Sequence, residues 1–290
     1  MRKPVFTGVC TALVTPFLDG KVNYPMVKLL LKRQMDAGIK AVVVSGTTGE
    51  SPTLSDREKI ELFRQCKEFA KDDCTIIAGT GSNSTAHAIE LSRAAEDAGA
   101  DALLVVSPYY NKATADGLFS HYLSIAHSVS IPIILYNVPS RTGVDIPVSV
   151  YRRLSRVPNI AGVKEASTDI TKIAKIKNSC APDFYIWSGN DEMTVPSMAL
   201  GGQGVISVSS NVCPEEMLRM TQYAINGDYE AAGEIQVALQ TLMELMFCEV
   251  NPIPVKAALA CIGYDCGSCR LPLTALSAEN HKKIKAFFSQ

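Results

Sequence analysis

Ile160-Ala161-Gly162-Val163-Lys164 is a short, continuously apolar run that ends in a lysine. Runs of similar length and composition recur along the chain, and their apolar residues do not alternate with polar ones. Continuous apolar character over strand length predicts strands that are covered on both faces. The other predicted strands lie near Gly8–Thr15, Ala41–Ser45, Thr75–Gly79, Ala102–Ser107, Ile131–Tyr136, Phe184–Ser188 and Gly204–Ser207.

Helix-like segments separate these runs, among them Pro25–Ala37, Asp56–Ala70 and Thr85–Ala98. The first of them is expected to pack through Met26, Leu29, Leu30 and Met35. Alternation of strand and helix about eight times predicts parallel βα units. We therefore expect an α/β protein with a (β/α)8 TIM barrel, and an open doubly wound sheet is the alternative that the sequence leaves open.

The pattern changes near Pro214, after which only helical periodicity is found. A barrel takes roughly 250 residues, so a chain of 290 residues has room for a short extension. We predict a catalytic barrel over residues 1–224 and a C-terminal helical domain over residues 225–290. The helices expected around and beyond this boundary are Glu215–Asn226, Tyr229–Cys248, Pro254–Cys261 and Ala278–Ser289.

The composition argues against several classes of function. A net charge of −1 gives no basic excess for a nucleic-acid backbone, so we expect no nucleic-acid partner. Neither a signal peptide nor an apolar run of the roughly 20 residues that span a bilayer is found, which favours a soluble, cytoplasmic protein away from membranes. The nine cysteines are expected to be free thiols. Cys266 and Cys269 have the spacing of half a zinc site, but no second pair follows, so no metal is expected.

Lys164 and Tyr136 end neighbouring predicted strands, and barrel enzymes place their active sites at the carboxyl ends of strands. An unprotonated amine attacks carbonyl carbons, and a phenol beside it can carry protons. A solvated lysine and an aromatic that covers the core are the respective alternatives. Lys256 is the nearest rival to Lys164, but it lies in an apolar helix-like run outside the predicted barrel.

Three loops after predicted strands carry further candidates. In Ser45–Glu50 two glycines flank two threonines, an arrangement that can bind a carboxylate or form an ordinary turn. Arg141 follows Tyr136 in a tight loop and suits bidentate binding of a carboxylate, unless it is merely solvated. Tyr109 and Tyr110 are adjacent and could either pack at a subunit interface or carry protons.

Taken together, these segments resemble the dihydrodipicolinate synthase/N-acetylneuraminate lyase family. They occur in the family's order, and they cover nearly the whole chain. The matching segments are Gly46-Thr47-Thr48-Gly49-Glu50, Ser107-Pro108-Tyr109-Tyr110, Tyr136-Asn137-Val138-Pro139-Ser140-Arg141-Thr142-Gly143, Gly162-Val163-Lys164-Glu165-Ala166 and Ser188-Gly189-Asn190-Asp191.

The resemblance implies a role for each matching residue. Lys164 would form a Schiff base with pyruvate, and Tyr136 would be the general acid/base. A hydroxyl relay would be completed by Thr47 and by Tyr110, the tyrosine coming from a neighbouring subunit. Arg141 would hold the carboxylate of the second substrate. The remaining substrate-binding positions would be Thr48, Ile206 and Gly189.

The implied activity is a lyase-type condensation of pyruvate with L-aspartate 4-semialdehyde in lysine biosynthesis, with neither cofactor nor metal, in a homotetramer built as a dimer of dimers. N-acetylneuraminate lyase and keto-deoxy sugar-acid aldolases share the lysine and the tyrosine, and a non-catalytic barrel is an alternative from another class. Thr47-Thr48 and Arg141 favour the synthase, and an intact Lys164 argues against a non-catalytic barrel.

The resemblance also implies a candidate allosteric site for lysine, between subunits, at Ser51, Asn83, His87 and Tyr109. Asp56 and Lys59 occupy positions where histidines are common in the family, and His87 occupies a position where glutamate is common. Lys59 would repel a cationic effector. The sequence leaves sensitivity to lysine open.

Overall fold

A computed structural model describes residues 2–289 and shows a closed parallel barrel. Its strands lie next to one another in the order β1-β10-β9-β8-β7-β6-β5-β4, and β4 pairs with β1 to close the ring, while β2 and β3 form a separate hairpin. The expected TIM barrel is confirmed. The strands are β1 Gly8–Ala12, β2 Phe17–Leu18, β3 Lys21–Val22, β4 Ala41–Val44, β5 Thr75–Gly79, β6 Ala102–Val106, β7 Ile133–Asn137, β8 Ile160–Glu165, β9 Tyr185–Ser188 and β10 Gly204–Ser207.

Helices surround the barrel and continue beyond it. The barrel helices are α1 Tyr24–Asp36, α2 Asp56–Ala70, α3 Thr85–Asp97, α4 Ala115–Ala126, α5 Pro139–Thr142, α6 Val148–Leu154, α7 Ile170–Ser179, α8 Thr194–Ala199 and α9 Pro214–Ile225. The C-terminal helices are α10 Tyr229–Ala238, α11 Gln240–Leu245, α12 Ile253–Cys261 and α13 Ala278–Phe288. Single 3-10 turns occur at Ser51–Thr53, Asp191–Met193 and Ser209–Asn211.

Two details of the predicted helices are wrong. The single helix expected over residues 229–248 is two helices, because Leu239 leaves α10 with φ −87° and ψ −4°. In α1 the buried face carries Val27, Leu30 and Leu31, whereas Leu29 is exposed. Leu29 is two positions after Val27, which at 3.6 residues per turn places it on the opposite side of the helix.

The strands bury side chains on both faces, as their continuous apolar pattern predicted. One cluster fills the barrel interior and includes Val43, Ile77, Leu104 and Ile134. A larger cluster lies between the strands and the helices and includes the neighbouring residues Val42, Val44, Ile76, Ala78, Leu103, Val105, Ile133 and Leu135. Alternate residues of a strand point to opposite faces, so the register decides which polar side chains enter the barrel.

The amino end of the barrel is filled by aromatic side chains. Phe6, which precedes β1, stacks on Trp187 with ring centroids 5.1 Å apart. The indole N–H of Trp187 donates to the backbone oxygen of Phe6 at 3.2 Å. Both side chains are buried, so apolar packing occupies this part of the interior.

The C-terminal extension is tied to the barrel by Arg270. Its guanidinium donates to both carboxylate oxygens of Glu58, at 2.6 and 3.0 Å, and to the backbone oxygens of Thr53 and Gly20. The hydrogen bond from Arg270 lowers the pKa of the Glu58 carboxyl to about 2. Glu58 also caps the amino end of α2 through a capping box with Ser55. The extension therefore contacts the segment that follows β4.

Candidate functional site

A cavity of about 640 Å³ opens at the carboxyl ends of β4 to β7. It is lined by side chains from the loops after these strands, where barrel enzymes hold their substrates. Seven residues singled out from the sequence line it: Thr47, Ser51, His87, Tyr109, Tyr110, Tyr136 and Arg141.

Lys164 and Tyr136 lie side by side on the inner face of the barrel. The register pairs Tyr136 on β7 with Lys164 on β8, and Lys164 in turn with Trp187 on β9. Lys164 is buried, and its Nζ lies 4.3 Å from the centroid of the Tyr136 ring. The amine is thus held against the face of a phenol that lines the cavity.

The residue after the lysine fixes the end of β8. The buried carboxylate of Glu165 accepts hydrogen bonds from Asn137 Nδ2 at 2.7 Å and from the Tyr151 hydroxyl at 3.2 Å. Lys172 Nζ lies 3.5 Å from Glu165 and also contacts Asp145. Burial, with the charge of Glu165, raises the pKa of Tyr151, which keeps its proton for this bond. Successive strand residues point to opposite faces, so Glu165 points away from Lys164. Its hydrogen bonds therefore fix the end of β8 on the helix-facing side of the barrel wall.

The loop after β4 leaves donors free. The N–H groups of Gly49, Glu50 and Ser51 donate to carbonyl oxygens inside the loop. Over residues 2–289, those of Thr47 and Thr48 donate to no protein acceptor. Two adjacent unpaired N–H groups beside two threonine hydroxyls form a neutral site that suits a carboxylate.

Residues of the C-terminal extension that were not predicted from the sequence as site residues hold this loop. Asn251 is buried and its Nδ2 donates to Thr48 Oγ1 at 2.9 Å. Lys256 Nζ lies 2.5 Å from Glu50 Oε1, and the backbone N–H of Arg270 donates to Glu50 Oε2 at 2.9 Å. Polar residues in the apolar stretch from Asn251 to Cys261 were a usable signal, since buried polar groups need partners.

Arg141 and Tyr110 lie at the edge of the cavity. Arg141 is exposed on the short helix α5 and forms no ion pair with any residue that the structure describes. Tyr110 is 91% exposed and has a left-handed backbone with φ 69°. Within residues 2–289, the hydroxyls of Thr47, Tyr110 and Tyr136 form no hydrogen bond with one another. The relay implied by the resemblance is therefore not assembled by a single chain.

Three of the four candidate lysine-binding positions, Ser51, His87 and Tyr109, line the same cavity. His87 donates through Nε2 to the Asp56 carboxylate at 2.8 Å, and its Nδ1 is hydrogen-bonded to the Ser82 hydroxyl at 3.1 Å. Lys59 is buried with its Nζ 3.5 Å from Asp56. Asn83 does not line the cavity, and its carbonyl accepts from the side chain of Asn111.

Four other candidates are close to the site without lining the cavity: Lys164, Thr48, Ile206 and Gly189. Ile206 is fully buried in the interior cluster. At Gly189 an added Cβ would lie 2.5 Å from the Cβ of Ala166, so the close approach of these two strand ends requires glycine.

The cysteines have no chemistry at this site. All nine are free, and burial raises the pKa of the Cys266 thiol to about 12 and that of Cys269 to about 11.

Within residues 2–289 no group of three or more histidine, cysteine or acidic side chains is arranged to hold a metal ion. No helix in the same range is both long enough and apolar enough to cross a membrane.

Comparisons with known proteins find relatives that match nearly the whole chain. A curated 4-hydroxy-tetrahydrodipicolinate synthase from Acetivibrio thermocellus is 44% identical over 285 residues, covering 98% of this chain and 97% of the relative. A crystal structure of dihydrodipicolinate synthase from Acinetobacter baumannii, complexed with pyruvate, is 40% identical with a TM-score of 0.95 and covers 98% of both chains. A second structure, DHDPS from Cyanidioschyzon merolae with lysine bound, is 40% identical with a TM-score of 0.95, covering 98% of this chain and 97% of that one.

Residues 5–290 match the model of the dihydrodipicolinate synthetase family. The match spans both the barrel and the C-terminal helices, and the identities above extend over nearly the whole of each relative. The chain therefore belongs to the dihydrodipicolinate synthetase family.

Proposed function

We propose that this protein condenses pyruvate with L-aspartate 4-semialdehyde through a Schiff base on Lys164, as 4-hydroxy-tetrahydrodipicolinate synthases do in the diaminopimelate route to lysine. The observation that carries the proposal is the buried amine of Lys164, 4.3 Å from the ring centre of Tyr136. A nucleophilic amine beside a proton carrier is what addition to a ketone and loss of water require. The relatives with this name share more than two fifths of their residues with the chain.

The carboxylate of pyruvate would bind at the loop after β4. The unpaired N–H groups of Thr47 and Thr48, with their hydroxyls, provide donors at one end of the site. These neutral donors hold an anion without placing a cation beside Lys164. An ammonium neighbour would compete for the carboxylate, whereas backbone donors leave the amine free to react.

Arg141 would bind the carboxylate of the second substrate. Its guanidinium lines the cavity and has no acidic partner in the described part of the chain. Arginine binds carboxylates bidentately, which orients the aldehyde end of a short substrate toward the barrel interior. A neutral sugar aldehyde would offer this arginine no carboxylate to bind, which favours the synthase over the sugar-acid lyases.

The proposed reaction consists of nucleophilic additions, loss of water and proton transfers, with no change of oxidation state that would require a redox partner. Lys164 Nζ adds to the ketone carbon of pyruvate, and loss of water, with protons carried by Tyr136, gives an iminium. Loss of a methyl proton gives an enamine, which forms the new carbon–carbon bond with the aldehyde carbon. The amine of the second substrate then attacks the iminium carbon, closes the ring and releases Lys164.

Assembly would complete the relay. Tyr110 is 91% exposed in one chain, so a second subunit is needed to bury its phenol and bring it to another hydroxyl. We therefore propose that the active form is an oligomer, a homotetramer built as a dimer of dimers. The nine free thiols fit a reducing compartment, which supports a cytoplasmic location.

The test is turnover of pyruvate and aspartate semialdehyde, followed through a coupled reductase. Lys164→Ala should have no turnover, and borohydride with pyruvate should modify the wild-type chain at Lys164 but leave the variant unmodified. Near-normal turnover by Lys164→Ala would refute the mechanism. Modification by pyruvate without turnover of the aldehyde would refute the synthase assignment and direct the search to sugar-acid substrates.

A further inference from the structure

Asn251 reaches the proposed pyruvate site from the C-terminal extension. It precedes α12, is buried, and its Nδ2 donates to Thr48 Oγ1 at 2.9 Å. The other amide atom, Oδ1, has no partner among residues 2–289. The hydrogen bond to Thr48 is therefore the one that the side-chain amide of Asn251 forms within residues 2–289.

The direction of this hydrogen bond decides what Thr48 can do. A hydroxyl has one proton to donate and two lone pairs that accept. Because the amide N–H occupies a lone pair, the hydroxyl proton is left for another acceptor, and no protein atom in the described chain takes it. An amide oxygen at the same point would instead take that proton and leave Thr48 with nothing to donate.

We propose that Asn251 is a positioning residue for the carboxylate of pyruvate, which holds the Thr48 hydroxyl so that its proton points to the substrate. The proposal rests on the proposed function of the loop after β4. A chain of donors from Asn251 through Thr48 to a carboxylate is polarised along its length, and its last bond is charge-assisted.

The loop is held firmly enough for this orientation to matter. Glu50 has a left-handed backbone with φ 56°, which its contacts must maintain. Lys256 on α12 and the N–H of Arg270 contact its two carboxylate oxygens. Asn251 and Lys256 belong to one buried segment, so the extension contacts the loop both at Thr48 and at Glu50.

The sharpest variant is Asn251→Asp, which keeps the shape and exchanges the donor for acceptors. Its carboxylate would take the Thr48 proton and place a negative charge beside the site of an anionic substrate. The KM for pyruvate should rise by about 10- to 100-fold, the range expected for losing one hydrogen bond to a charged group. The KM for the aldehyde should stay within about two-fold, because Arg141 is untouched.

Three further variants separate positioning from a general structural role. Asn251→Ala removes the donor without adding charge and should shift the KM for pyruvate in the same direction, by less. In a Thr48→Val background, Asn251→Ala should add little, since the hydroxyl that Asn251 acts through is gone. Asn226→Asp is the matched control, because Asn226 is exposed at the end of α9.

Borohydride trapping at Lys164 with pyruvate alone gives a readout that does not depend on the second substrate. The half-saturating pyruvate concentration should rise in Asn251→Asp and be unchanged in Asn226→Asp. An unshifted trapping curve, equal rises in both KM values, or additive effects with Thr48→Val would overturn the inference. A wild-type chain that traps pyruvate without turning over the aldehyde would refute the proposed function and leave this test intact.

Discussion

Replacing Lys256 with methionine should cost this protein much of its stability. Lys256 is 5% exposed and Glu50 is 2% exposed, and their charged atoms lie 2.5 Å apart. Neither atom has an aligned hydrogen bond within residues 2–289, so the pair interacts mainly through charge. Lys256 Nζ also lies 4.4 Å from the centroid of the Phe17 ring.

The magnitude follows from the charge that the substitution leaves behind. Methionine keeps most of the packing volume, so the main effect is a buried Glu50 carboxylate that keeps the hydrogen bond from the Arg270 N–H but loses the adjacent ammonium of Lys256. Removing one partner of a buried ion pair costs about 3–5 kcal/mol. With an unfolding entropy of about 2.1 cal/mol/K per residue, a chain of 290 residues should then lose about 5–8 °C in Tm.

The assay is thermal and denaturant unfolding followed by circular dichroism at neutral pH. The matched control is Lys32→Met, which removes an ion pair with Asp36 whose side chains are 58% and 63% exposed. Exposed pairs contribute about 0–1 kcal/mol, so the control should unfold close to the wild type. The double variant Glu50→Gln/Lys256→Met buries no charge and should be more stable than Lys256→Met alone.

Two results would contradict the reasoning. Lys256→Met could melt within about 1 °C of Lys32→Met, which would mean that the buried carboxylate gains water or a proton at little cost. Alternatively, the double variant could be no more stable than the single one, which would assign the loss to packing against Phe17 rather than to the charge on Glu50.

Three further predictions address the site and the fold. Tyr110→Phe should lower kcat by about 10-fold or more while the Tm is unchanged, because phenylalanine keeps the ring and loses only the hydroxyl that carries protons; an unchanged kcat would remove Tyr110 from the relay. Free lysine should leave the rate unaffected across a titration, because the buried ammonium of Lys59 lines the cavity where the effector would bind, and a saturable fall in rate would contradict this. Burial lowers the pKa of His121 from 6.5 to about 4, so the unfolded chain binds the proton first as the pH falls and stability decreases from about pH 6.5 to pH 4. His121→Gln should flatten this part of the stability profile by up to about 3 kcal/mol, and an identical slope in both proteins would refute the assignment.

The barrel could be predicted because its strands have a strong, local signal. Val42, Val43 and Val44 are continuously apolar, and the structure buries one of the three inside the barrel and the other two beneath the helices. A helix gives a weaker signal, as α1 shows. Leu29 is apolar and exposed, while Gln34 is polar and buried, so composition alone selected a wrong face.

The site residues that lie at the ends of strands could be predicted from the sequence. Lys164 and Tyr136 end neighbouring strands, and the parallel register then brings them together. Asn251 could not be found in this way, because it pairs with Thr48 across most of the chain and neither residue's local context indicates the other. Only the three-dimensional packing of the extension on the loop after β4 reveals the contact.

The predicted barrel (residues 1–224) and the predicted C-terminal helical domain (residues 225–290) pack directly against each other. Val255, Ala258 and Leu259 of α12 belong to the same buried cluster as the barrel residues Val42 and Ile76, so no solvent layer separates extension from barrel. Polar contacts run across the same interface, from Asn251 to Thr48 and from Lys256 to Glu50. A barrel without α12 would expose this apolar surface and leave Glu50 buried without its cation. The loop that would bind pyruvate therefore depends on residues from both sides of the predicted boundary near residue 225.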